Sequence, residues 1–120
     1  MKMTDLVVLL STGKGTWTEV AKLINNGEWD NIFLVTNEFG QKTFNKKENM
    51  KFIVVNPNLS IELFIEKIKT KLKDKIQGTE VALNLSSGTG KEHMALLSAL
   101  LKLGLGIRLV SFINNGIKEI

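Results

Sequence analysis

The chain has 120 residues, 43% hydrophobic and 23% charged, with a net charge of +4 from 16 Lys+Arg against 12 Asp+Glu. That length and balance describe one domain, residues 1–120, with a core of its own, and disorder is not the default expectation. The absence of cysteine excludes disulfides, thiolate metal sites and cysteine nucleophiles. Apolar runs too short for a membrane span, and no signal-peptide pattern, make a cytoplasmic location the expectation.

Leu6 to Leu10, reading LVVLL, is a continuous apolar run with β-branched members, as expected of a strand buried on both faces. Ser11-Thr-Gly-Lys-Gly15 breaks the pattern. Thr16 or Thr18 then caps a helix to about Asn26, with Val20, Leu23 and Ile24 facing inward. Asn26-Gly27 predicts a left-handed helix end. Asn31 to Thr36 is the second strand, and the polar stretch from Asn37 to Asn49 reads as a surface loop that admits a short helical turn. Lys51 to Val55 is the third strand, stopped by Asn56-Pro57-Asn58.

Ser60 caps the longest helix, whose apolar stripe is Ile61, Ile65, Ile68, Leu72 and Ile76, with Gly78 as its terminator. Lys67, Lys69, Lys71, Lys73 and Lys75 alternate along it and read as its solvated side. Glu80 to Asn84 is a fourth strand, Lys91 to Leu103 a third helix and Ile107 to Phe112 a fifth strand. Ile117 to Ile120 adds an antiparallel edge strand after the Asn114-Asn115-Gly116 turn. Alternating strands and helices predict an α/β fold: a Rossmann-like three-layer sandwich, with a mostly parallel five- or six-stranded sheet covered by helices on both faces.

In such sheets ligands lie beyond the carboxyl ends of the strands, where strand order reverses. Two segments have chemistry suited to that crevice. Ser86, Ser87, Gly88, Thr89, Gly90 and Lys91 combine hydroxyl donors, glycines that let a backbone approach a phosphate, a lysine and a helix start. Ser11, Thr12, Gly13, Lys14, Gly15 and Thr16 repeat the recipe after the first strand. Either loop alone is as readily a turn with an N-cap. The same chemistry after two strands favours a ligand site.

Known nucleotide fingerprints fit poorly. The P-loop's leading glycine would fall at Leu85, and Glu92 would replace its magnesium-holding hydroxyl. Gly13 and Gly15 give G-x-G, but position 18 is Thr, and Thr36 and Asn37 stand where an acidic residue would end the second strand. The lone arginine, Arg108, argues against duplex DNA binding by this chain alone. No metal site and no cofactor are expected.

Met94, Ala95, Leu96, Leu97, Ala99, Leu100, Leu101 and Leu103 leave the third helix almost no polar face. A helix apolar all round is buried all round, here against neighbouring helices or a second subunit, and a two-fold dimer through Lys91 to Leu103 is the better reading. A two-fold axis beside it would bring two copies of the Ser86 to Lys91 loop together, suiting a symmetric, multiply anionic ligand.

The apolar first strand followed by Ser11-Thr-Gly13, and above all Asn84-Leu-Ser-Ser-Gly-Thr-Gly-Lys-Glu-His-Met94, resemble the CARF family, the Rossmann-like sensor domains associated with CRISPR antiviral defence. One departure is that Gly90 separates Thr89 from Lys91, where the familiar form has Gly-Gly-Thr followed at once by a basic residue. The resemblance implies a homodimer that binds a cyclic oligoadenylate across its axis. Ser11, Thr12, Gly13 and Lys14 would line the ligand, with Asn84, Ser86, Ser87, Gly88, Thr89, Gly90 and Lys91 at its phosphates or riboses.

Most such proteins carry an effector, and none fits within this chain; a binding-only module, a sensor cut from a longer protein and a standalone ring nuclease all remain open. Metal-independent ring cleavage, by in-line attack of a ribose 2′-OH on the adjacent phosphate, would use Ser11 for positioning and Lys91 for charge stabilisation. His93 stays outside that set as a residue of the first helical turn. Trp17 is placed to stack on a base, whereas Trp29 reads as packing. The rival expectation is a nucleotide-dependent regulatory or interaction module without catalysis, docking a heterologous partner through the third helix.

Overall fold

The computed structural model describes residues 4–11 and 16–120. Among these, six strands and four helices alternate: β1 (Thr4–Leu10), α1 (Trp17–Asn26), β2 (Trp29–Thr36), α2 (Glu38–Thr43), β3 (Met50–Val54), α3 (Ile61–Leu72), β4 (Glu80–Asn84), α4 (Gly90–Lys102), β5 (Gly106–Ile113) and β6 (Gly116–Glu119). They form one sheet in the order β3-β2-β1-β4-β5-β6, parallel except for β6. The fold is α/β, a Rossmann-like three-layer sandwich.

Alternation along β1 separates two cores. Leu6, Val8 and Leu10 pack with Val20, Leu23 and Ile24 of α1, whereas Val7 and Leu9 pack with Phe64 and Ile68 of α3 and Ala95, Leu96, Ala99 and Leu100 of α4. All five β1 residues from Leu6 to Leu10 are buried, which is why no polar residue interrupts the run. Phe44, just beyond α2, packs on the α1 side. The chain runs outward from β1 to β2 and β3, then crosses through α3 to β4, so the neighbours β1 and β4 stand on either side of the strand-order reversal.

Several boundaries differ from the sequence reading for local reasons. The Asn37 to Asn49 stretch contains α2, nucleated by Asn37, whose Oδ1 accepts from Gly40 N at 2.9 Å. Helix α3 ends at Leu72 rather than running toward Ile76, because the chain turns through Asp74 at φ 63°. Gly27 is extended, not left-handed. A Cβ there would meet the Trp29 indole at 2.3 Å, and that indole donates to Leu23 O at the end of α1. The glycine makes room for the ring. Asn114 and Asn115 at φ 51° and 62° form the tight turn that returns β6 antiparallel to β5.

Helix α4 is not buried all round. Ala95, Leu96, Ala99 and Leu100 are buried, Leu97 and Leu103 partly, while Met94 and Leu101 are 64% and 63% exposed. α3 covers one flank, so the apolar surface left over on α4 is a strip; Leu109 and Ile113 of β5 are exposed as well. Among the described residues no helix is long and apolar enough to cross a membrane.

Candidate functional site

The pairing of β1 with β4 sets Val8 opposite Asn84. Carried three residues further, that register brings Ser11 opposite Ser87, and Ser11 N donates to Ser87 Oγ at 3.0 Å. The two loops singled out by their chemistry therefore meet at the carboxyl end of the central strands. Thr12, Gly13 and Lys14, expected to line a ligand, lie outside the described residues.

The second loop is a folded turn with its polar groups largely committed. Asn84 is 5% exposed; its Nδ2 donates to Val110 O at 2.9 Å and its Oδ1 accepts from Ser86 N at 3.1 Å. Ser87 is fully buried, and its carbonyl oxygen lies 2.9 Å from His93 Nε2. These residues shape the turn from within and do not present themselves at the surface. Gly88 sits at φ 105°, and a Cβ there would come within 2.3 Å of Leu9 Cδ2. Its glycine identity answers to that backbone angle and to the core, whereas Gly90 faces open space.

Thr89 is the N-cap of α4, so the helix begins one residue earlier than the sequence pattern placed it. Thr89 Oγ1 accepts from Glu92 N at 3.2 Å, and Glu92 Oε1 accepts from Thr89 N at 2.8 Å, a reciprocal capping box. The same Glu92 oxygen accepts from Ser11 Oγ at 2.6 Å. Glu92 is 5% exposed, and this carboxylate links the end of β1 to the first turn of α4. Sequence reasoning weighed Glu92 only as a defect in a P-loop; the available signal was the Thr-x-x-Glu spacing from Thr89, which marks a capping box.

Glu92 takes up Thr89 N and Ser11 Oγ, which leaves the first N–H groups of α4 as the turn's anion-binding donors. The backbone N–H groups of Gly90 and Lys91, the first two of α4, have no intrahelical acceptor by helix geometry and stand at the positive end of the helix dipole. The Lys91 side chain runs across to the segment after β3, where Nζ donates to Pro57 O at 3.2 Å and to Leu59 O. Lys91 Nζ and Ser11 Oγ thus have different partners, the carbonyls after β3 for the amine and the Glu92 carboxylate for the hydroxyl.

Trp17 Nε1 donates to Ser11 O at 2.9 Å, and its ring meets that of Phe39 with centroids 5.8 Å apart at 48°. Trp17 therefore stands beside the first loop, as its position in the sequence suggested. Trp29 packs on Gly27 and α1, remote from the loops. Arg108 bonds Glu80 at 3.0 Å and lies 3.1 Å from Glu119 as a misaligned ion pair, tying β4, β5 and β6 together at the far end of the sheet. Among the described residues no three His, Asp or Glu side chains gather as a metal site.

No protein-family model matches the chain, and a comparison with curated proteins finds no match.

Proposed function

We propose that the chain is a sensor domain that binds a cyclic oligoadenylate across the two-fold axis of a homodimer, as its resemblance to the CARF family implies. The observation that carries the reading is the joining of Ser11 to Ser87 and Glu92 in the crevice between β1 and β4. Unsatisfied N–H groups at the start of α4 and the helix dipole favour a phosphate there. The apolar strip of Met94, Leu97 and Leu101 begins one turn further along the same helix. A two-fold axis along that strip would set two such anion sites side by side, matching a ring with repeated phosphates.

Binding without cleavage is the form that the geometry supports best. Cleavage assisted by Lys91 requires its amine to leave the carbonyls of Pro57 and Leu59. The Ser11 hydroxyl proton is already given to Glu92, although its oxygen can still accept from a ribose hydroxyl. The alternative, a regulatory module whose α4 docks a different protein, draws on the same apolar strip and expects a monomer without ligand. Titration with cyclic tetra- and hexa-adenylate, followed by analysis of the recovered ligand, tests sensing and cleavage together.

A further inference from the structure

A cavity of about 650 Å³ opens at the carboxyl ends of β2 and β3, lined by Asn37, Glu38, Phe39, Val54, Val55, Asn56 and Pro57. Its size lies within the range of about 300–1,000 Å³ that small-molecule sites occupy. It adjoins the crevice on two sides. Phe39 contacts Trp17, whose indole bonds Ser11 O, and Pro57 O accepts from Lys91 Nζ.

The lining sorts ligand chemistry. Phe39 is 58% exposed and, with Val54, Val55 and Pro57, offers an apolar wall with an aromatic ring for a flat group. Asn37 Oδ1 and Asn56 Oδ1 are engaged by Gly40 N and Asn58 N, so both amides keep their NH₂ groups as donors. The Glu38 carboxylate accepts hydrogen bonds and repels phosphate. A ligand seated here points its uncharged, hydroxyl-bearing end at Glu38 and its phosphate toward Lys91.

β2 ends at Thr36, Asn37 caps α2, and Glu38, the first residue of that helix, brings a carboxylate to the cavity wall.

We propose that this cavity binds a purine ribonucleoside moiety, with the base on the Phe39 wall and the ribose hydroxyls on Glu38. The moiety belongs either to a free mononucleotide or to one unit of a larger ring, and the inference stands apart from the dimer-axis reading.

The test is calorimetric titration of the full chain with AMP, with 2′-deoxy-AMP and with cyclic tetra-adenylate. Wild type is compared with Glu38→Gln and Phe39→Ala, both exposed positions whose variants are checked for folding by circular dichroism. Wild type is expected to bind AMP at least fivefold more tightly than 2′-deoxy-AMP. Glu38→Gln should weaken AMP about tenfold and erase the difference between the two nucleotides, because a charge-assisted bond to the hydroxyl is lost. Phe39→Ala should weaken both nucleotides alike. If Glu38→Gln also weakens the ring, the ring's own nucleoside fills the cavity; if only AMP weakens, the occupant is a free mononucleotide. Equal affinity for AMP and 2′-deoxy-AMP, or AMP binding unchanged by Glu38→Gln, overturns the proposal. Failure of the ring alone to bind leaves the AMP result as the readout and counts against the dimer-axis reading instead.

Discussion

The Ser11 hydroxyl donates to the Glu92 carboxylate across 2.6 Å, joining the end of β1 to the first turn of α4. Neither residue is adjacent to the other in the chain, and both are nearly inaccessible to water. A buried carboxylate needs its donors, and Glu92 has two, Thr89 N and Ser11 Oγ. Ser11→Ala is expected to cost about 1–3 kcal/mol, because it removes a charge-assisted bond from a buried acceptor. Chemical denaturation of Ser11→Ala, Glu92→Gln and the double variant checks this. The two single losses should sum to more than the double loss, since Ser11→Ala removes the bond that Glu92→Gln weakens to an uncharged one.

Gly88 and Gly90 should respond in opposite directions. Gly88→Ala combines a strained φ of 105° with a clash on Leu9, and should destabilise by at least about 2 kcal/mol. Gly90→Ala meets open space at the first helical position, and should stabilise by about 0.5–1 kcal/mol through reduced freedom of the unfolded chain. If the ligand's phosphate approaches the Gly90 N–H, this more stable variant should bind cyclic oligoadenylate less tightly. Thermal melts and titration of the same samples read both effects.

Lys91→Ala should leave stability within about 1 kcal/mol of wild type, since its two acceptors are exposed carbonyls. Its effect belongs to anion binding. Affinity for a polyphosphate ring should fall about tenfold, and the dependence on salt should become shallower as one cation is lost. Titrations at two ionic strengths separate that electrostatic loss from misfolding.

The exposed strip on α4 sets the oligomer prediction. Leu101→Lys places a charge on the strip of Met94, Leu97 and Leu101, and on the proposed dimer reading it should leave a folded monomer. Sedimentation at several concentrations reads the mass, and circular dichroism confirms the fold.

Much of the fold was legible because each strand is bounded by a chemical break. Leu6 to Leu10 stops at Ser11, Lys51 to Val55 at Asn56-Pro57, and Glu80 to Asn84 at a Ser/Gly turn. The Asn114-Asn115-Gly116 turn announced the antiparallel edge. Less legible were features set by packing between distant residues. The fit of Gly27 to Trp29, and of Gly88 to Leu9, depends on partners that local pattern does not specify. The apolar character of α4 is legible from residue types, but which side α3 covers and which stays exposed is not.

At the candidate site, the sequence marked both loops but not their division of labour. Asn84 and Ser87 are inward braces, and the Lys91 amine rests on Pro57 and Leu59. Glu92, unmarked as a site residue, holds the two loops together.

Sensing of a ring across a dimer axis is decided by calorimetric titration with cyclic tetra- and hexa-adenylate, with the mass of the complex measured in the same buffer. Saturable binding of one ring per two chains is expected, weakened by Lys91→Ala and by Leu101→Lys. Heat at neither ring, or binding of one ring per single chain with no change of mass, would contradict it.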